Sequence, residues 1–236
     1  MKIPFAVHFE SIKMIAKHSV PILLAINDHD FQFEGTGVYL RKGTRHFLVT
    51  ANHVVQTIEP NRILLLTDID SASSIQARSS IATSDENADI ALFELLQPLT
   101  HFSPIDYKDI CDLTDDACAI YMMGFPATRI SRKNRKHIEF EQRFILTKKV
   151  ESGDQHFEHF DERTNFVCDF KKKKVLNGNG QIVTFPDPYG MSGGGVFEPS
   201  YSKNNVLSGY TLVGIMTVWN QRQKRYIRCT KVSVLR

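Results

Sequence analysis

Cysteine is scarce in this chain of 236 residues, with four in all, and tryptophan occurs once. The four thiols, Cys111, Cys118, Cys168 and Cys229, make neither a disulfide-dense scaffold nor a zinc-binding spacing. Cys111 and Cys118 flank the acidic turn 112–116 and could pair, but reduced thiols in a cytoplasmic protein are the expectation. Long apolar runs are missing too. Stretches such as Pro21–Ile26 and Ile63–Leu66 fall far short of the roughly 20 residues that cross a bilayer. Lys2 is not followed by an apolar segment with a small-residue cleavage site, so no signal peptide is expected. Neither sign of charge dominates: 29 Lys and Arg face 26 Asp and Glu, a net +3 that makes no global case for nucleic acid or membrane binding. What remains is ordinary globular composition, 42% apolar and 23% charged, long enough for a well-buried core in one domain or two small lobes.

Phe5, Phe9, Ile12 and Ala16 recur at spacings of four, three and four, which predicts an amphipathic helix over 5–16. Beyond His18 the pattern changes to short β-branched and aromatic runs broken by polar clusters: 20–26, 31–40, 45–50, 62–67, 75–82, 89–95, 117–123, 137–149, 164–170, 181–185, 194–198, 211–219 and 225–229. That spacing predicts an all-β barrel or sandwich. The stretch 97–116, with Pro98, Pro104 and several aspartates, reads as a connection between lobes. There is no internal repeat, and no low-complexity segment beyond Lys171–Lys174.

Three segments carry chemistry. Gly190-Met191-Ser192-Gly193-Gly194-Gly195 sets a serine among residues that tolerate tight turns, so neighbouring amides can converge beside an exposed hydroxyl. Phe47-Leu48-Val49-Thr50-Ala51-Asn52-His53-Val54-Val55 is an apolar strand running into a histidine. Asn87-Ala88-Asp89-Ile90-Ala91-Leu92 places an aspartate at the mouth of another strand. Asp85 is the nearest competitor for Asp89, but it lacks the Ile-Ala-Leu continuation.

With Gly35-Thr36-Gly37-Val38, Gly124-Phe125-Pro126 and Leu212-Val213-Gly214-Ile215, these segments follow an order that resembles the chymotrypsin-like (trypsin-like) serine peptidases. The likeness is to bacterial intracellular forms, including the protease part of the HtrA family, and runs over roughly 20–236. It implies two six-stranded antiparallel β-barrels with the site in the cleft between them. Lobe 1 would span about 18–100, a linker about 101–116 and lobe 2 about 117–236. The chain ends soon after its last strand, so a PDZ domain of the HtrA type is not expected. His53, Asp89 and Ser192 would be the catalytic triad and the amides of Gly190 and Ser192 the oxyanion hole. Thr217 stands where the family often has a serine near the aspartate, which implies a supporting hydrogen bond. The implied function is a serine endopeptidase acting on protein or peptide through an acyl-enzyme, without cofactor or metal, with a regulatory protein as a further possible partner. The alternative is a catalytically silent relative that binds peptides or acts as a scaffold.

The chain also departs from the secreted members. Val54 follows the histidine where many of them have a cysteine, and Met191 precedes the serine where they have the aspartate that pairs with a new N-terminus. Activation by N-terminal trimming is therefore not expected. Pro186 replaces the acidic pocket base, so cleavage after Lys or Arg lacks its counter-charge. Trp219 either narrows the pocket entrance, favouring small or medium apolar residues, or packs elsewhere. The basic cluster Arg129, Arg132, Lys133, Arg135 and Lys136 reads as a solvated loop or as a contact for acidic substrates, a regulator or nucleic acid. His156 and His159 lack the helical pattern of a metal pair.

Overall fold

Residues 38 to 40 already dictate a layered architecture. Val38 and Leu40 project to one side of their strand and Tyr39 to the other, and all three are buried. A strand apolar on both faces must lie between two cores. The computed structural model of the protein describes residues 12–27, 30–56, 58, 63–68, 71–74, 77–82, 87–115, 117, 119–132, 138–151, 157, 159–176, 182–202, 207–220 and 225–236.

A short helix, α1 (12–16), leads into the strands. The first sheet holds β1 (Ser19–Asn27), β2 (Asp30–Lys42), β3 (Arg45–Ala51), β4 (Ile63–Asp68), β5 (Ser71–Ser74), β6 (Ala77–Ala82), β7 (Ile90–Leu95) and β8 (Ile105–Asp106). A single helical turn, α2 (Asn52–Val55), follows β3. The chain continues through β9 (Ile120–Gly124), β10 (Ile130–Arg132), β11 (Ile138–Phe140), β12 (Arg143–Thr147), β13 (Lys149–Val150), β14 (Asn165–Asp169), β15 (Val175–Leu176), β16 (Ile182–Val183), β17 (Gly195–Tyr201), β18 (Leu207–Trp219) and β19 (Tyr226–Lys231). The first sheet runs β5-β4-β1-β2-β3-β7-β6 with β8 on β2, and the second runs β12-β9-β17-β18-β19-β14-β13. Two small hairpins, β10-β11 and β15-β16, stand apart. The pairing is antiparallel except where β8 lies parallel to β2. This is a chymotrypsin-like β-barrel fold, all-β with a short N-terminal helix.

Three apolar clusters fill it. One lies within the first sheet around Val20, Ile22, Tyr39 and Leu48. Another lies within the second around Ile120, Met122, Phe166 and Val213. The third joins Val38, Leu40 and Val49 of the first sheet to Tyr121, Met123, Phe197 and Ile215 of the second. Each Val, Leu, Ile or Phe so buried contributes roughly 1.5–3 kcal/mol, and the shared cluster is what holds the two sheets face to face.

The helix expected over 5–16 is seen at 12–16, where Ile12 and Ala16 rest on the shared cluster and Ile15 is fully buried in it; Phe5 and Phe9 lie outside the described residues. The connection near 97–116 is stitched down. Ile105 and Ile110 join the shared cluster, and Cys111 N–H donates to the Leu212 carbonyl at 3.2 Å. The run 137–149 divides at Glu141 and Gln142, because β11 closes a hairpin on β10 while β12 pairs with β9. Gln142 at that break donates to the Ala16 carbonyl at 2.8 Å. No helix among the described residues is long and apolar enough to cross a membrane.

Candidate active site

Strand β3 delivers His53. The chain leaves the sheet at Ala51, and α2 buries Val54 and Val55, which turns the His53 side chain outward, 41% exposed. Val54 lies against Gly35, where an added Cβ would sit 2.8 Å from Val54 Cγ1. Asp89 precedes β7 in the left-handed region, φ +46°. Its main-chain carbonyl accepts Asn52 N–H at 2.9 Å, Oδ1 accepts His53 N–H at 3.0 Å, and Oδ2 accepts the ring Nδ1–H at 2.8 Å. A carboxylate only accepts, so Nδ1 carries the proton, and in the neutral form of such a ring the lone pair is left on Nε2.

Ser192 sits in a turn held from both sheets. Met191 N–H donates to Pro188 O at 2.9 Å and Gly194 N–H to Met191 O at 2.8 Å, while the Met191 side chain is fully buried in the second-sheet cluster. Thr36 N–H donates to the Ser192 carbonyl at 2.9 Å. At Gly193, φ +85°, a Cβ would fall 1.9 Å from Thr36 O, 2.1 Å from Thr50 Oγ1 and 3.0 Å from Ala51 N. The serine turn is therefore pressed onto the strand end that leads to His53. Gly190 adopts φ +89°, and its carbonyl accepts Thr36 Oγ1–H at 3.0 Å. The N–H groups of Gly190 and Ser192 donate to no other described residue. Ser192 Oγ makes a long hydrogen bond to Thr217 O, 3.4 Å, and none to His53.

Thr217 departs from expectation. Its hydroxyl does not reach Asp89; it donates to Arg228 O at 3.2 Å and accepts Arg228 Nε–H at 3.4 Å. Arg228 comes between them. Its guanidinium, 7% exposed, places Nη2 4.0 Å from Asp89 Oδ2 and donates through Nη1 to the His159 carbonyl. Burial lowers its proton affinity below the ordinary arginine value, and the Asp89 charge works against that. The turn before β7 is gripped from the second sheet as well. Asn165 Nδ2 donates to Asn87 O at 2.9 Å, and Thr230 Oγ1 donates to Ala88 O.

Sequence reasoning missed Arg228, Asn165 and Thr230. The signal lay in β19, where Arg228 interrupts a strand whose other side, Ile227 and Cys229, is wholly apolar core.

Trp219 packs edge-on against Phe170, ring centroids 6.3 Å apart at 88°, on the margin of the second-sheet cluster. Pro186 lines a cavity of about 180 Å³ with Arg129, Arg143, Phe144 and Val183, and the adjoining Asp187 pairs with Lys172 at 2.5 Å. Cys111, Cys168 and Cys229 are free; Cys118, Asp85, His156 and residues 133–137 of the basic cluster lie outside the described residues. Among the described residues no group of three or more His, Cys, Asp or Glu is placed to hold a metal.

Residues 35–204 match the trypsin-like peptidase domain. The chain belongs to that family. The matched span of this trypsin-like peptidase domain includes His53, Asp89 and Ser192, while Thr217, Trp219 and Arg228 lie beyond it. Among solved structures, the scabies mite inactivated protease paralogue S-I1 superposes with a TM-score of 0.59 at 16% identity, over 93% of this chain and 91% of the mite chain. That likeness is one of fold. No curated protein matches the chain.

Proposed function

We propose that the protein is a serine endopeptidase. The observation that carries this reading is the double grip of one carboxylate on His53, at the ring Nδ1 and at the main-chain N–H. A histidine so oriented is a base with a fixed tautomer, which a peptide-binding module has no need of.

In the proposed reaction, Ser192 Oγ leaves the Thr217 carbonyl and hydrogen-bonds to His53 Nε2. That exchange of one neutral hydrogen bond for another shifts the free energy by no more than about 1 kcal/mol. Oγ attacks the scissile carbonyl carbon as its proton passes to Nε2. The oxyanion settles on the unpartnered N–H groups of Gly190 and Ser192, each worth roughly 3 kcal/mol in such a hole. The C–N bond then breaks, and His53 gives its proton to the leaving amine. Water, deprotonated by His53, attacks the acyl-enzyme carbonyl; the C–Oγ bond breaks, His53 returns the proton to Ser192 Oγ, and the acid product leaves. Met191, buried as an apolar side chain, supports a serine turn that needs no ion pair with a trimmed N-terminus. The cysteine usage of the sequence supports a cytoplasmic setting.

A second reading is a silent relative that binds peptides or acts as a scaffold. Ser192 Oγ bonded to Thr217 O, and the inactivated state named for the mite paralogue, favour it. Labelling with a fluorophosphonate probe separates the two. Wild type should label and Ser192→Ala should not, with casein hydrolysis following the same pattern. Absence of Ser192-dependent labelling and of casein turnover would leave the silent reading standing.

A further inference from the structure

We infer that Arg228 is a positioning residue of the His53–Asp89 pair, fixing the Asp89 carboxylate from the second sheet and taking up part of its charge. The kinetic side of this inference rests on the peptidase reading; the geometry does not.

A buried cation is costly unless it is paired and hydrogen-bonded. Arg228 is 7% exposed, and among the described residues the carboxylate it meets is that of Asp89. It approaches Oδ2, the same oxygen that accepts His53 Nδ1–H at 2.8 Å. The rest of the guanidinium is held in place: Nε on Thr217 Oγ1, Nη1 on the His159 carbonyl. A register shift between Met216 and Val218 in the β18-β19 ladder sets the Thr217 hydroxyl against Arg228. Asp89 needs such support. Its left-handed backbone is unfavourable by about 1–2 kcal/mol for a residue with a Cβ, and such conformations persist where neighbours over-determine them. Asn165, Thr230 and Arg228 hold Asn87, Ala88 and Asp89 in turn.

Among the described residues, the titratable and charged groups facing the carboxylate are His53 from α2 and Arg228 from β19. Cys229, next to Arg228, faces the second-sheet core and Cys168, and His159 offers its carbonyl. A cation beside the carboxylate offsets part of the field that would stabilise protonated imidazole. Loss of the Arg228 charge is therefore expected to displace the acid limb of the reaction to higher pH.

The test is the rate constant for fluorophosphonate labelling of the full chain as a function of pH, in wild type, Arg228→Lys and Arg228→Gln. The glutamine variant should show its acid-limb midpoint displaced upward by about half to one pH unit, and the lysine variant should stay near wild type. Coincident midpoints in wild type and the glutamine variant overturn the inference whatever happens to the plateau, because a purely structural role lowers the plateau alone. Titration of the His53 imidazole by NMR in the same proteins reads the shift without turnover. A wild-type chain that fails to label then sinks the peptidase reading only, whereas an unmoved imidazole titration sinks the role of Arg228. If near-UV circular dichroism shows the glutamine variant unfolded, Arg228→Met takes its place with the same expectation. The lysine variant, which keeps the charge, counts against the inference if its midpoint rises by a full unit.

Discussion

Asp89 meets His53 twice, Oδ2 at 2.8 Å from Nδ1 and Oδ1 at 3.0 Å from the main-chain N–H. Two bonds from one carboxylate to one residue fix the ring against both rotation and drift. A third link, Asn52 N–H to the Asp89 carbonyl at 2.9 Å, ties the two turns together through main chain alone. The histidine can thus be 41% exposed and still point one way, as the proposed base role requires.

Replacing Asp89 by Asn should test that orientation directly. The amide keeps the size and can still accept from the main-chain N–H, but its NH₂ facing Nδ1 forces the proton onto Nε2. His53 then has no lone pair for the Ser192 proton. Turnover of a casein substrate should fall on the order of 10⁴-fold, the scale of the same substitution in another Ser-His-Asp triad, while far-UV circular dichroism stays unchanged. A variant keeping more than a tenth of wild-type turnover would remove Asp89 from the proposed triad.

Gly193 and Gly209 should respond oppositely to alanine. At Gly193 the new Cβ would stand 1.9 Å from the Thr36 carbonyl with φ at +85°, so main chain on two sheets must move. At Gly209 nothing lies within 4 Å and no left-handed backbone is involved. Urea unfolding should show Gly193→Ala losing about 3 kcal/mol or more, or failing to fold. Gly209→Ala should stay within about 0.5 kcal/mol of wild type. Similar midpoints for the two variants would mean that the serine turn is not pressed onto the first sheet as described.

Most strands were legible because apolar alternation and turn residues are local, whereas the short β5, β8, β10 and β15 fall outside the expected runs. Val38, Tyr39 and Leu40 announce a buried strand from their own composition, and each candidate run contains or borders a strand. The pairing of His53 with Asp89 was readable only through the order of motifs, since no local rule joins residues so far apart. Arg228 was legible only as a charge set in the middle of β19, not as a neighbour of Asp89. Its meaning depends on a register shift at Thr217 and on which face of β19 turns toward the first sheet, and both are set by packing of the finished sheets. Trp219 shows the same limit. Its place on Phe170 follows from the β18-β19-β14 order of the second sheet, which sets the end of β18 near the residue after β14, not from its distance along the chain to Ser192.

His18 provides a pH-dependent stability that is separate from the site. It follows α1, is 6% exposed, and lies between the Ser103 carbonyl at Nδ1 and the Tyr210 hydroxyl at Nε2, each 2.5 Å away. The carbonyl can only accept, so Nδ1 donates and Nε2 receives the phenolic proton. Burial pushes the His18 value below that of a free histidine; the Ser103 bond opposes this, and the Lys17 charge adds to it. In the unfolded chain the ring takes its proton near pH 6.5, whereas the folded chain resists until lower pH. Between those points the unfolded state binds more protons, so stability is complete above about pH 6.5 and is lost as pH falls toward the folded value. The slope from this one group is at most about 1.4 kcal/mol per pH unit. Urea midpoints at pH 7.5 and 5.5 should therefore drop more in wild type than in His18→Gln, which has no proton to gain. Equal drops in the two proteins would show that the His18 ring is protonated as readily folded as unfolded, and the buried neutral bridge between α1, the connecting segment and β18 would have to be abandoned.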